Sequence, residues 1–153
     1  MQENWKFHHA SIIVRDMNEA IKFYETLGIG PFPPTIGPEG VPLSGQTVRG
    51  KQSDYTMDLR YAKGGVGGLN FELVQPLEGE SIYKEFLEKK GEGVHHLAFV
   101  VDDLDKEIAE MAERGFKVIQ TGQTARGKFA YFDTDAVGGV VTELIQWASQ
   151  QAP

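Results

Sequence analysis

Two stretches of the chain carry one pattern of apolar and polar positions. His9-Ala10-Ser11-Ile12-Ile13-Val14-Arg15-Asp16 and His96-Leu97-Ala98-Phe99-Val100-Val101-Asp102-Asp103 are each a strand-length apolar run opened by His and closed by Asp. The offset, 96 less 9, is 87 residues, and it also carries Gly28 onto Gly115. Between the Asp and the Gly each copy has helical spacing. Asp16 is the predicted N-cap, with Glu19 three residues on; Ala20, Phe23, Tyr24 and Leu27 form the apolar stripe, and Gly28 supplies a left-handed stop. Asp103 caps the second helix, whose stripe is Leu104, Ile108, Met111 and Ala112, closed by Gly115. The charges of Asp105, Lys106, Glu107, Glu110 and Glu113 fall mostly on the opposite, solvated face.

The copies also end alike: Phe71-Glu72-Leu73-Val74-Gln75 resembles Thr142-Glu143-Leu144-Ile145-Gln146. Here the offset, 143 less 72, is 71, so the first copy has 16 additional residues. Gly30 to Gly45 accommodates them as a long irregular loop, with nine Gly or Pro in sixteen positions. A linker helix is expected near 81–90, from Ser81 through Phe86 and Leu87, and Thr56–Ala62, Phe116–Gln120 and Phe129–Phe132 read as strands. The chain is thus expected to be one α+β domain over 1–153. It is built from two tandem βαβββ modules, 5–77 and 93–148, whose strands form a curved, partly closed mixed sheet.

Composition narrows the chemistry. With no cysteine among 153 residues, thiolate ligands, disulfides and cysteine nucleophiles are excluded, leaving His and carboxylate as the strong metal ligands. A net charge of −7 disfavours nucleic acid as a partner. The longest apolar run, Leu97 to Val101, is too short for a membrane span, and a cytoplasmic location is the expectation.

The repeat puts one His and one Glu at equivalent positions in each half. Glu72 and Glu143 share a strand face with Val74 and Ile145, where a carboxylate is costly unless it meets a cation or lies at an edge. The histidines come in pairs, His8-His9 and His95-His96. His9 and His96 have small same-face neighbours, Ser11 and Ala98, which leave room beside an ion. His8 and His95 read as structural. His9, Glu72, His96 and Glu143 are therefore the expected ligands of one divalent ion, with Co, Mn, Ni, Zn or Fe(II) suited to mixed N and O donors.

These paired His strands, carboxylate strands and βαβββ repeat resemble the vicinal oxygen chelate superfamily, which includes glyoxalase I, extradiol dioxygenases and resistance proteins. The resemblance covers roughly Phe7 to Trp147. It is nearest to the methylmalonyl-CoA epimerases through Phe71 to Leu77, Phe86 to Gly91, His95 to Phe99 and Gly138 to Leu144. It implies a glyoxalase-like sheet around the metal site and the same four ligands. It implies a divalent-metal-dependent epimerase or isomerase that abstracts a proton next to a carbonyl, with Glu143 and Asp58 as catalytic carboxylates. The substrate would be a small molecule, an acyl-CoA or another carbonyl compound, and a homodimer is expected because dimers are common in the family. Asp133-Thr134-Asp135 departs from the epimerases' basic segment and counts against coenzyme A. Arg126, Lys128 and Arg49 are the basic candidates for an anionic substrate, and Tyr131 and Arg126 could orient it. Alternatives are a glyoxalase I-like lactoylglutathione lyase, another enzyme of the superfamily, or a non-enzymatic ligand-binding or resistance protein. Extradiol dioxygenases use two His and one carboxylate, so the fourth ligand argues against that chemistry.

Overall fold

A computed structural model describes residues 4–149. In chain order its elements are β1 (Lys6–Ile13), α1 (Met17–Thr26), β2 (Pro34–Ile36), β3 (Ser44–Val48), β4 (Lys51–Gln52), β5 (Met57–Val66) and β6 (Leu69–Pro76). Then come α2 (Ile82–Lys90), β7 (Gly93–Val100), α3 (Leu104–Glu113), β8 (Val118–Thr124), β9 (Gly127–Phe132) and β10 (Val141–Trp147). All ten strands join one sheet in the order β2-β5-β6-β1-β7-β10-β9-β8-β3-β4. The quartets β2-β5-β6-β1 and β8-β9-β10-β7 repeat one strand order and meet, related by rotation, at the antiparallel β1–β7 seam. The α+β architecture and the repeat stand as expected.

The two helices built on the repeat end identically. Asp16 accepts from the Glu19 amide and Asp103 from the Lys106 amide, both at 3.0 Å. At the far ends, Gly28 N–H bonds Glu25 O and Ile29 N–H bonds Tyr24 O; Gly115 with Ala112, and Phe116 with Met111, repeat the motif. Gly28 and Gly115 sit at φ 81° and 90°, as this C-terminal turn requires. The apolar stripes differ from expectation. In α1 the inward residues are Met17, Ala20, Ile21 and Tyr24, while Phe23 and Leu27 are exposed; in α3 Ala112 is exposed. In both helices the buried arc begins at the first residue after the cap, Met17 in α1 and Leu104 in α3.

The Gly- and Pro-rich stretch is more than a loop. It holds β2 and leads into the β3–β4 hairpin, whose β3 takes β8 of the other half as its second neighbour. This crossing fixes the sheet's shape. In a flat sheet β2 and β3 would stand about 38 Å apart, eight strand spacings. The residues from Ile36 to Ser44 can span at most roughly 30 Å even when fully extended. The sheet must curl until its ends approach. α1 and α3 cover its outer face over separate clusters centred on Leu73 and Leu144, whereas α2 packs on the inner cluster through Ile82 and Tyr83.

Candidate metal centre

Strand alternation assigns the inner face: Ser11 and Ile13 on β1, Met57, Leu59 and Tyr61 on β5, Val74 on β6, Ala98 on β7, Phe129 and Tyr131 on β9, and Ile145 on β10. By the same parity this face carries His9, Glu72, His96 and Glu143, all buried. Their polar ends converge. His9 Nε2 lies 3.1 Å from His96 Nε2 and 3.3 Å from Glu72 Oε2 and from Glu143 Oε2. His96 Nε2 lies 3.2 Å from Glu72 Oε1 and 3.4 Å from Glu143 Oε2. His9, His96 and Glu143 offer donor atoms all within 4.8 Å of one another, and Glu72 touches both rings from β6.

These residues fit a cation. Glu72 Oε1 and Glu143 Oε2 are buried and have no hydrogen-bond partner, despite their nearness to the rings. Ser11 Oγ, whose residue pairs with Glu72 on one side and His96 on the other, is a third unpartnered buried oxygen. Buried acceptors that approach nitrogens without hydrogen-bond alignment are costly unless positive charge sits among them. A divalent ion bound at about 2.0–2.2 Å would space adjacent donors by roughly 3 Å, in keeping with the separations seen.

Electrostatics agree. Burial disfavours a charged His9, but the Glu72 and Glu143 carboxylates outweigh it and lift the ring to about 10. His96 is raised for the same opposing causes. Burial would raise both carboxyls, yet His9 and His96 hold Glu72 well below the ordinary range and lower Glu143 too. The two sets of shifts describe one interaction, a cluster that favours positive charge at its centre.

The paired histidines bring a finding that regular alternation does not predict. Phe7 faces Phe99 and His9 faces Ala98, so His8 is an extra residue on β1; Ser11 faces His96 and Ile12 faces Val94, so His95 is an extra residue on β7. Each is a β-bulge, which re-aims its side chain. His8 Nδ1 lies 2.7 Å from His9 Nδ1, and His95 Nδ1 lies 2.9 Å from His96 Nδ1. Burial, followed by the neighbouring ring's charge, pushes His8 down to about 4 and His95 well below its usual value.

The hairpins repeat the arrangement. Tyr61 faces Glu72 across β5–β6, and Tyr131 faces Glu143 across β9–β10. Burial, then the site's carboxylates, keeps both phenols protonated, and Tyr83 from α2 donates to Tyr131 Oη at 2.7 Å. Glu143 also lines a cavity of about 490 Å³ with His8, Tyr61, Tyr131, Ile145 and Trp147, and with Lys63 from β5 and Arg126 from the β8–β9 turn. The Trp147 indole N–H is buried without a partner.

Asp58 is not brought here. It lies one residue out of phase with Met57, Leu59 and Tyr61, on the side of the sheet facing α1, and its carboxylate is paired with Arg60 at 3.0 Å. The alternation Met57-Asp58-Leu59-Arg60-Tyr61 carries that signal in the sequence. Of the basic candidates, Arg126 reaches the cavity, while Arg49 is paired with Glu85 and Lys128 with Asp105. Asp133 and Thr134 are engaged in the turn before β10, Asp133 accepting from the Lys117 amide and Thr134 bonding Thr142.

No helix among the described residues is long and apolar enough to cross a membrane. The chain is 34% identical over 83 residues to the uncharacterized protein YqjC of Bacillus subtilis (strain 168), a match spanning 52% of this chain and 59% of that protein. Among solved structures it resembles the methylmalonyl-CoA epimerase of Mycobacterium tuberculosis, with TM-score 0.62, 24% identity, and coverage of 95% of this chain and 89% of that one. The hypothetical protein BH1468 of Bacillus halodurans C-125 aligns with TM-score 0.63 and 25% identity over 97% and 98% of the two chains. A methylmalonyl-CoA epimerase in complex with methylmalonyl-CoA and NH4+ aligns with TM-score 0.60 and 22% identity over 99% and 100%. At these identities the solved structures speak to the fold. The family described as Glyoxalase/Bleomycin resistance protein/Dioxygenase superfamily matches residues 8–132, and the chain belongs to it.

Proposed function

We propose that the chain is a divalent-metal-dependent isomerase or epimerase that moves a proton at a carbon next to a carbonyl. The carrying observation is that Glu143 belongs both to the cluster of imidazoles and carboxylates and to the lining of the adjoining cavity. His9, Glu72, His96 and Glu143 would hold the ion. When bound, it would polarise two neighbouring substrate oxygens and lower the cost of negative charge developing on them. Glu143 takes the proton from the carbon, and its cavity-facing position suits that role. Tyr61 and Tyr131, kept protonated by burial, can donate to substrate oxygen. Lys63 and Arg126 at the hairpin ends can hold an anionic group remote from the reacting carbon.

The likeness to the epimerases supports methylmalonyl-CoA or a related acyl thioester as first substrate to try. One observation favours a second reading, isomerisation of a hemithioacetal as in glyoxalase I. With Asp58 turned to the outer face, the carboxylates available to the reaction are those of the cluster itself, Glu72 and Glu143, one from each half. The test is to load the purified chain with Co, Ni, Zn or Mn and incubate it in D₂O with methylmalonyl-CoA, following the α-carbon by NMR. Metal-dependent exchange of the α-proton for deuterium is expected. A metal-loaded protein giving no exchange but converting the hemithioacetal of methylglyoxal would transfer the conclusion to the second reading. Loss of both activities would defeat the proposal.

A further inference from the structure

Two histidines next to the cluster are left without a task by that chemistry, and their geometry gives them one. His8 and His95 occupy equivalent bulges, one on each side of the β1–β7 seam. Neither ring is where a regular strand would put it, since a residue adjacent to an inward His should point outward. Each bulge instead turns its imidazole back, and its Nδ1 meets the Nδ1 of the following His at hydrogen-bond distance. In both copies the far nitrogen of that second ring, Nε2, is the one in the cluster.

We propose that His8 and His95 are the outer partners of the two metal-binding histidines, fixing ring orientation and tautomer through imidazole–imidazole hydrogen bonds. The inference rests on the metal-site reading above. For Nε2 of His9 and His96 to present a lone pair to an ion, the ring hydrogen must be on Nδ1, and there it finds His8 or His95 as acceptor. The outer rings must then carry their own hydrogen on Nε2. Metal-binding histidines ordinarily donate to a carboxylate, a backbone carbonyl or water. A neutral imidazole draws on that hydrogen less than a carboxylate does. The ligand ring stays a weaker base, and the ion keeps more of its charge for the substrate. The two partners differ in surroundings. His95 is enclosed by Phe86, Tyr83 and Tyr131, whereas His8 lies against Tyr61 and Trp147 in the cavity wall.

The test compares acceptor with shape. His8→Asn and His95→Asn retain an oxygen near the position of Nδ1, whereas His8→Phe and His95→Phe retain a ring without an acceptor. Zn²⁺ is titrated calorimetrically into each metal-free full-length protein. The Phe variants should bind at least about tenfold more weakly than the parent, and the Asn variants should recover most of that loss. Long-range ¹H–¹⁵N spectra of the unsubstituted Zn²⁺ form give an independent readout, with hydrogen expected on Nδ1 of His9 and His96 and on Nε2 of His8 and His95. Equal affinity in all four variants, or bare Nδ1 atoms on His9 and His96, would overturn this inference while leaving the metal site standing. If a Phe variant does not fold, the spectra decide. Failure of the parent protein to bind any of the ions would remove the metal-site reading and this one with it.

Discussion

His9 Nε2 and His96 Nε2 stand 3.1 Å apart in the middle of the β1–β7 seam, although 87 residues separate them in the chain. Two nitrogen lone pairs do not approach so closely unless a proton or a cation lies between them. The first prediction follows from that pair. Adding Zn²⁺ or Co²⁺ at a hundred times its dissociation constant should stabilise the protein by about 2.7 kcal/mol. For a chain of this size that is a rise in Tm of several degrees, reversed by a chelator. His96→Ala should abolish the rise, as read by differential scanning calorimetry with and without the ion.

The size of that rise should depend on pH. His9 is raised from 6.5 to about 10 in the metal-free protein, so its stabilising charge is fully present below 6.5 and lost as pH climbs through about 10. Glu72 and Glu143 are depressed, so their share is present above 4.5 and lost on acidification. Because an ion must displace the proton on His9, the gap in Tm between loaded and metal-free protein should widen steadily from pH 6 to pH 9. A gap that stays constant over this interval would contradict the coupling of His9 to the two carboxylates.

Exchange at the substrate carbon should separate the two carboxylates named from the sequence. Glu143→Gln removes the proposed base and should cut deuterium incorporation by roughly 10²–10⁴-fold. Asp58→Asn should leave it within about twofold, because its partner is Arg60 on the outer face, away from the cluster. Inverted results would return Asp58 to the reaction.

Gly127, at the start of β9, offers a test through packing. A Cβ there would clash with the carbonyl oxygen of Gln146 and lie 3.1 Å from Trp147 Cα. Gly127→Ala should cost about 1–3 kcal/mol, measured by urea denaturation, because both obstacles are backbone. Since Trp147 borders the cavity, the same change should also weaken substrate binding.

Much of this was legible in the chain, and the reasons for the remainder are physical. The repeat carried the convergence of two His and two Glu because a duplicated module must put equivalent residues at equivalent points, and Asp16, Asp103, Gly28 and Gly115 mark helix ends through local chemistry alone. The roles of His8 and His95 were hidden because a bulge breaks the two-residue period on which the reading of strand faces depends. The pairing of β3 with β8 was hidden for another reason: it joins Val48 to Gln120, 72 residues further along the chain, and no local pattern in a Gly- and Pro-rich stretch specifies so distant a neighbour. Asp58 stands one residue out of phase with Met57, Leu59 and Tyr61, an alternation visible in the chain itself that sets its carboxylate beside Arg60 on the outer face.

That hairpin also alters what duplication means for this molecule. By completing the neighbouring copy's outer border, β3 and β4 make the first module a donor and the second a recipient, so the two are no longer exchangeable units. Residues 37–43 become a belt joining the far margins of the curl. The modules cannot swing apart like shells on a hinge at β1–β7, and any widening of the cavity must come from yielding of the belt itself.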